Sequence, residues 1–168
     1  MSNRTAWAPG NLNSSAWTSN QGWVAAFNGS DLNSMITGDS VLSSVTPFAN
    51  ATGLDQFMDV SVQCSISSSA VVAPANFGVW LAMLQQDLTT LGDGSLTAGT
   101  QAAITPVWFP VAAIPLLAST RTSLIGSVSG ILLPPGSFAL ILQNNSGFTL
   151  SSSGNACSIR TYNQNLNN

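Results

Sequence analysis

The chain has 168 residues, of which 45% are hydrophobic and only 5% charged, with a formal net charge of −3; an average soluble domain carries about 25% charged residues. Most of its polar surface is therefore neutral Ser, Thr, Asn and Gln, which suits either a protein packed against partners or a secreted domain with a Ser/Thr-rich skin. With no histidine, no Lys and no Glu, and with Arg4, Arg121 and Arg160 as the only cations, the chain excludes Ser-His-Asp, Cys-His and most zinc hydrolase schemes and lacks the basic patch of a nucleic-acid binder.

The opening MSNRTAWAPG lacks the apolar run of a signal peptide, and no stretch reaches the roughly 18 apolar residues of a membrane span. The expectation is a chain made in the cytoplasm, with no membrane partner. Residues 1–40 are rich in Asn, Ser and Gly but carry Trp7, Trp17, Trp23 and Phe27. That spacing fits neither a helix face nor a strand face, so the segment reads as an extended arm with separate aromatic anchors. The surface under the arm is either its own domain, residues 41–168, or a neighbouring subunit. Gly38-Asp39-Ser40 resembles the start of a Gly-Asp-Ser hydrolase block, but such enzymes need a later His. A turn before the next strand is the reading here.

Residues 41–46 form a candidate strand ended by Pro47. From Gln56 to Ser67, Met58, Val60, Val62, Cys64 and Ile66 alternate with Asp59, Ser61, Gln63 and Ser65, the period of a half-buried strand. Asp55 and Asp59, four apart on that strand, are expected to share its outward face in solvent. Residues 77–84, FGVWLAML, are apolar on both faces, with Trp80 on the second. Such a strand is either central in its sheet or covered by a second chain.

Residues 88–100 read as a loop or hairpin tip, and Trp108 and Pro110 lie in a run that belongs on an edge or bulge. Asp93, alone between two glycines, offers one oxygen where calcium takes six to eight. No glycine pattern cradles a nucleotide, so neither metal nor cofactor is expected. Residues 121–133, with Gly126 and Gly130, form a strand with bends. A Pro-Pro-Gly turn then leads into the strand 137–143, an Asn-rich turn into 148–150, and a last strand at 156–162, with NQNLNN as a polar tail.

Cys64 and Cys157 point inward, as reduced core thiols or, if their strands are neighbours, as a disulfide. Seven or eight strands without a helix predict an all-β, two-sheet sandwich. Exposed Trp7, Trp17, Trp23 and Trp108 would also suit stacking on sugar rings in a carbohydrate-binding module.

The C-terminal stretch LPPGSFALILQNNSGFTLSSSGNACSIRTYN resembles the ending of jelly-roll cement or decoration proteins of tailed bacteriophages. In those proteins a Pro-Gly turn, an apolar strand and an Asn-rich turn precede a block similar to Ile159-Arg160-Thr161-Tyr162-Asn163. The likeness covers about the last 35 residues, weakens back toward Phe57, and does not reach the Trp-bearing arm.

The resemblance implies a jelly-roll virion protein without catalysis or cofactor, bound to the exterior of the phage head. There it would bridge major capsid proteins, commonly as a dimer or trimer. On that expectation Trp7, Trp17, Trp23 and Phe27 staple the arm to the lattice, while the strand of Trp80 or the edge of Trp108 meets a symmetry mate. Deleting residues 1–30 would then abolish attachment and leave the sandwich folded. The rival assignments are a tail or fibre component and a jelly-roll carbohydrate-binding module.

Overall fold

The computed structural model describes residues 4–9, 22–45, 48–50, 55–66, 75–106, 110–116 and 122–167, with 4–9 and 164–167 through their backbone alone. The described residues contain no helix. Their strands, in chain order, are β1 (Arg4–Pro9), β2 (Val24–Ala25), β3 (Ser40–Leu42), β4 (Phe48–Asn50), β5 (Phe57–Ser65), β6 (Ala75–Met83), β7 (Gln101–Ala102), β8 (Ala112–Leu116), β9 (Ser123–Leu132), β10 (Gly136–Asn145) and β11 (Ala156–Asn167).

Two antiparallel sheets result. One runs β1-β11-β5-β9, with β2 also on β11, and the other runs β7-β3-β10-β6-β8, with β4 also on β10. The chain changes sheet between β2 and β3, twice around β5, and at every step from β8 to β11. This all-β, two-sheet sandwich is the expected fold class.

β5 forms because its β-branched and thiol side chains fill one face. Met58, Val60, Val62 and Cys64 are all buried in the core between the sheets. β6 lies between β10 and β8 and sends Phe77, Val79 and Leu81 into the same core. Its other face is covered by the chain itself. Trp80 and Ala82 join a second cluster with Leu42, Ala139, Ile141 and Leu96, against which Leu91, Ala102 and Ile104 of the segment after β6 pack. Of the two sequence readings, the central strand is therefore the observed one, and Trp80 is not presented to a symmetry mate. Gly78 makes room for that indole: a Cβ there would lie 2.4 Å from Trp80 Cζ3, too close for any side chain.

The boundary of the arm also moves. Ala26, Phe27, Leu32 and Met35 lie in the main core, and the Ala26 amide donates to the Cys157 carbonyl at 2.8 Å. Residues 22–40 thus belong to the sandwich, because their apolar side chains close it beside β11. The NQNLNN tail is not a loose end either. β11 continues through it to Asn167, paired with β1 from Pro9 opposite Tyr162 to Arg4 opposite Asn167.

The edge strand β8 meets β9 of the opposite sheet at Gly126, where an added Cβ would stand 2.6 Å from Ile114 Cγ2 and 3.2 Å from the Pro115 carbonyl. This close approach shuts one flank of the sandwich. The expected strand at 148–150 is reduced to a single bridge, Leu150 to Ile66.

Cys64 and Cys157 are free and buried; Cys157 pairs with Val62, so the thiols sit on neighbouring strands. Desolvation by burial raises both, Cys64 from 9.0 to about 11 and Cys157 in the same direction. A folded thiol then keeps the proton that the unfolded one releases, so this contribution is whole below about pH 9 and is lost as pH rises toward 11. Urea midpoints are expected to fall between about pH 8 and pH 10.5, and replacing both cysteines with Ala should flatten that fall. A slope unchanged by the replacement would assign the fall to other groups.

Candidate interaction surface

Where β5 begins and β9 ends, the register sets Pro9, Tyr162, Phe57 and Leu132 in one row across the first sheet. The Phe57 and Tyr162 rings stack, with centroids 5.7 Å apart and planes at 24°, and Leu132 is 71% exposed. Tyr162, Phe57 and Leu132 lie on the face turned away from the core, and Pro9 is placed in the row by register.

Beside the row sits Asp59, at a register shift between β5 and β9 that falls between Met58 and Val60. The shift turns the Gly130 amide toward the carboxylate, and it donates to Asp59 Oδ1 at 3.0 Å. Gly130 has φ +76°, a conformation that costs glycine little. Arg160 Nε donates to Asp59 Oδ2 at 2.8 Å and the Tyr162 hydroxyl to Oδ1 at 2.9 Å. The Arg160 guanidinium in turn lies 5.0 Å from the centroid of the Trp23 ring, within cation–π range. Burial first, and then the bond to the Asp59 carboxylate, raises the Tyr162 phenol above its usual value.

Asp55 is held from the other side of β11. Thr161 Oγ1 donates to its Oδ2 at 2.5 Å and Asn163 Nδ2 to its Oδ1 at 3.0 Å. Asn50 bonds the Asp55 backbone twice, accepting its N–H at 2.7 Å and donating to its carbonyl at 2.9 Å. The Gln56 amide donates to Asn163 Oδ1 at 2.9 Å.

The expectation that the two carboxylates share a solvated face is therefore corrected. Asp59 does lie on the outward face, yet Arg160, Tyr162 and the Gly130 turn cover it. Asp55 precedes the strand and takes the opposite set of β11 side chains. Both are buried, and each carboxylate oxygen accepts at least one hydrogen bond. The bonds cost little to keep and much to lose, because a buried charge without donors is expensive.

The effect on architecture is local and definite. Four consecutive residues, Arg160 to Asn163, lock β11 to β5. Beyond Tyr162, the described pairing of β11 is with β1 only, as a two-stranded ribbon in which Trp7 stands opposite Gln164. The ribbon continues from the end of the sheet where the apolar row lies.

Of the aromatic contact residues expected from sequence, Trp23 belongs to this surface, through Arg160. Phe27 is in the core and Trp80 beneath the chain's own covering segment, which removes both from any outer contact. Trp7 is placed by register, and Trp17 and Trp108 lie outside the described residues. Phe57, Leu132 and Asp59 join the surface without having been expected there as contact residues, while buried Asp55 holds β11 from its opposite side. Only the 159–163 block carries a sequence signal for them.

Ser40 opens β3 after a turn at Gly38, whose φ is +91°. Its hydroxyl is buried, with no hydrogen-bond partner among the described residues, so solvent does not reach it. Among the described residues there is no group of three or more His, Cys, Asp or Glu that could hold a metal, and no helix long and apolar enough to cross a membrane. Compared with protein-family models, with curated proteins and with solved structures, the chain matches none.

Proposed function

We propose that this chain is a structural virion protein, a cement or decoration protein on the outer surface of a tailed-phage head that ties neighbouring major capsid proteins together. The observation that carries the reading is the locked end of the first sheet. There the block that resembles phage cement proteins fastens an uncharged apolar row and the β1–β11 ribbon to the sandwich. A neutral row of this kind suits burial against a neutral protein surface, since no charge has to be desolvated.

On this reading the protein works without catalysis or cofactor, as a dimer or trimer on the capsid exterior. Jelly-roll sandwiches serve both capsids and lectins, so the fold alone does not choose between them. Trp23 favours the capsid: the Arg160 guanidinium takes up a ring face that a sugar would need.

Copy number tests the proposal. Quantitative mass spectrometry of purified virions should find this chain in numbers comparable to the major capsid protein. A handful of copies would move the assignment to the tail or a fibre. Complete absence would overturn the virion reading and bring glycan binding forward.

A further inference from the structure

One residue stands apart from the locked surface. In the segment after β6, Leu88 has φ +58° and is 76% exposed. The other described residues in the left-handed region are nine glycines and Ser34, whose small side chains suit it. A leucine there is strained, and its side chain, in solvent, adds no packing that would offset the strain.

The turn that holds it is rigid. The Leu88 amide donates to the Gln85 carbonyl at 3.0 Å, and the Gln85 amide to the Thr90 carbonyl at 2.8 Å. Asp87 closes the tip: its Oδ1 accepts the amides of Thr89 at 2.9 Å and Thr90 at 2.8 Å, and its Oδ2 the Thr90 hydroxyl at 2.5 Å. The Thr90 hydroxyl first, then the two amides, hold this carboxyl well below the usual range. Gln85 Nε2 donates to the Gly92 carbonyl at 2.6 Å, tying the tip to the hairpin base. A backbone fixed in this way leaves only the Leu88 side chain itself to be ordered on binding, which lowers the entropic cost of docking.

We propose that Leu88 is a preformed knob that inserts into an apolar pocket of a protein partner, with cationic or amide donors at the rim to meet Asp87. Net charge supports that rim, because the segment carries the ionised Asp87 and Asp93 and no cation. The partner is the major capsid protein, and in this the proposal rests on the capsid reading above. The knob would then be a second point of attachment, separate from the locked end of the first sheet.

The test titrates capsids assembled without this protein with the full chain and with two variants, Leu88→Asn and Leu88→Met. Asparagine tolerates the left-handed conformation, so Leu88→Asn should raise the thermal midpoint by about 2–4 °C. It should also bind about tenfold to a hundredfold more weakly, as loss of one buried Leu implies. Leu88→Met, which keeps a flexible apolar side chain of similar volume, should bind within about threefold of the parent. If Leu88→Asn saturates the capsids at the parent's concentration, the knob is overturned and the capsid reading stands. If the parent chain itself does not bind, the capsid reading falls and the knob's partner with it.

Discussion

Removing residues 1–30 should unfold the sandwich. The deletion takes away β1 and β2, and with them Ala26 and Phe27 from the main core. Truncating a buried Phe alone costs about 3–5 kcal/mol, against a total stability of about 5–15 kcal/mol for a domain. The Ala26 bond to the Cys157 carbonyl and the pairing of Val24 with Ile159 go as well, which leaves the edge of β11 without its partner.

The expected result is a chain with no cooperative thermal transition and no fixed near-ultraviolet dichroism. Deleting residues 1–9 only is a different experiment. It removes β1, whose described pairing is with β11, and leaves every described core residue in place, so cooperative unfolding should persist. Only this shorter deletion can ask whether the ribbon attaches the protein to a capsid. A 1–30 deletion that melts cooperatively within a few degrees of the full chain would refute the placement of Phe27.

Asp59→Ala is expected to cost about 1–3 kcal/mol, or about 3–10 °C in thermal midpoint at this chain length. The ion pair is the smaller part. The Arg160 side chain is 40% exposed, and water screens an exposed pair to about 1 kcal/mol or less. The larger part is the two hydrogen bonds from the Gly130 amide and the Tyr162 hydroxyl; Gly130 is exposed and Tyr162 half-buried, so water replaces part of what the carboxylate gave and each counts for about 0.5–1.5 kcal/mol. Asp59→Asn keeps one oxygen for these donors and should lose clearly less.

The contrast between the two variants is the measurement. Equal losses would mean that charge, not hydrogen bonding, holds the site. A double-mutant cycle with Arg160→Ala then isolates the pair, and a coupling well above 1 kcal/mol would contradict the screening argument.

Legibility in the sequence followed the range of the interactions. β5 can be read because its alternation is local, and β6 because a run apolar on both faces permits few placements. What covers the second face of β6 cannot be read, since Leu91, Leu96 and Ile104 show no period that marks them as a lid. Phe27 reads as an arm anchor because nothing within its own segment signals the core on which it packs.

The site is the least legible part. The outward direction of Asp59 follows from the two-residue period, but its burial depends on a register shift with β9 and on donors from β11. Arg160 and Tyr162 lie more than 100 residues from Asp59 in sequence. Spacing within one strand cannot reveal them. The 159–163 block carries the resemblance, and the structure gives that block a physical role. Ile159 enters the core, and the next four residues bind two carboxylates.

The ribbon of β1 and β11 also dictates an order of events during synthesis. Ribosomes make chains from the amino end, so β1 emerges before the other described strands and waits for the last of them, β11, which stands opposite it. β2 waits for the same strand, and β3 and β4 have their neighbour β10 only slightly sooner. The first pairs that can close, β3 with β7 and β6 with β8, both belong to the second sheet. A half-made chain therefore carries β5 and one whole face of β6 uncovered, in the state most open to mispairing and capture by chaperones.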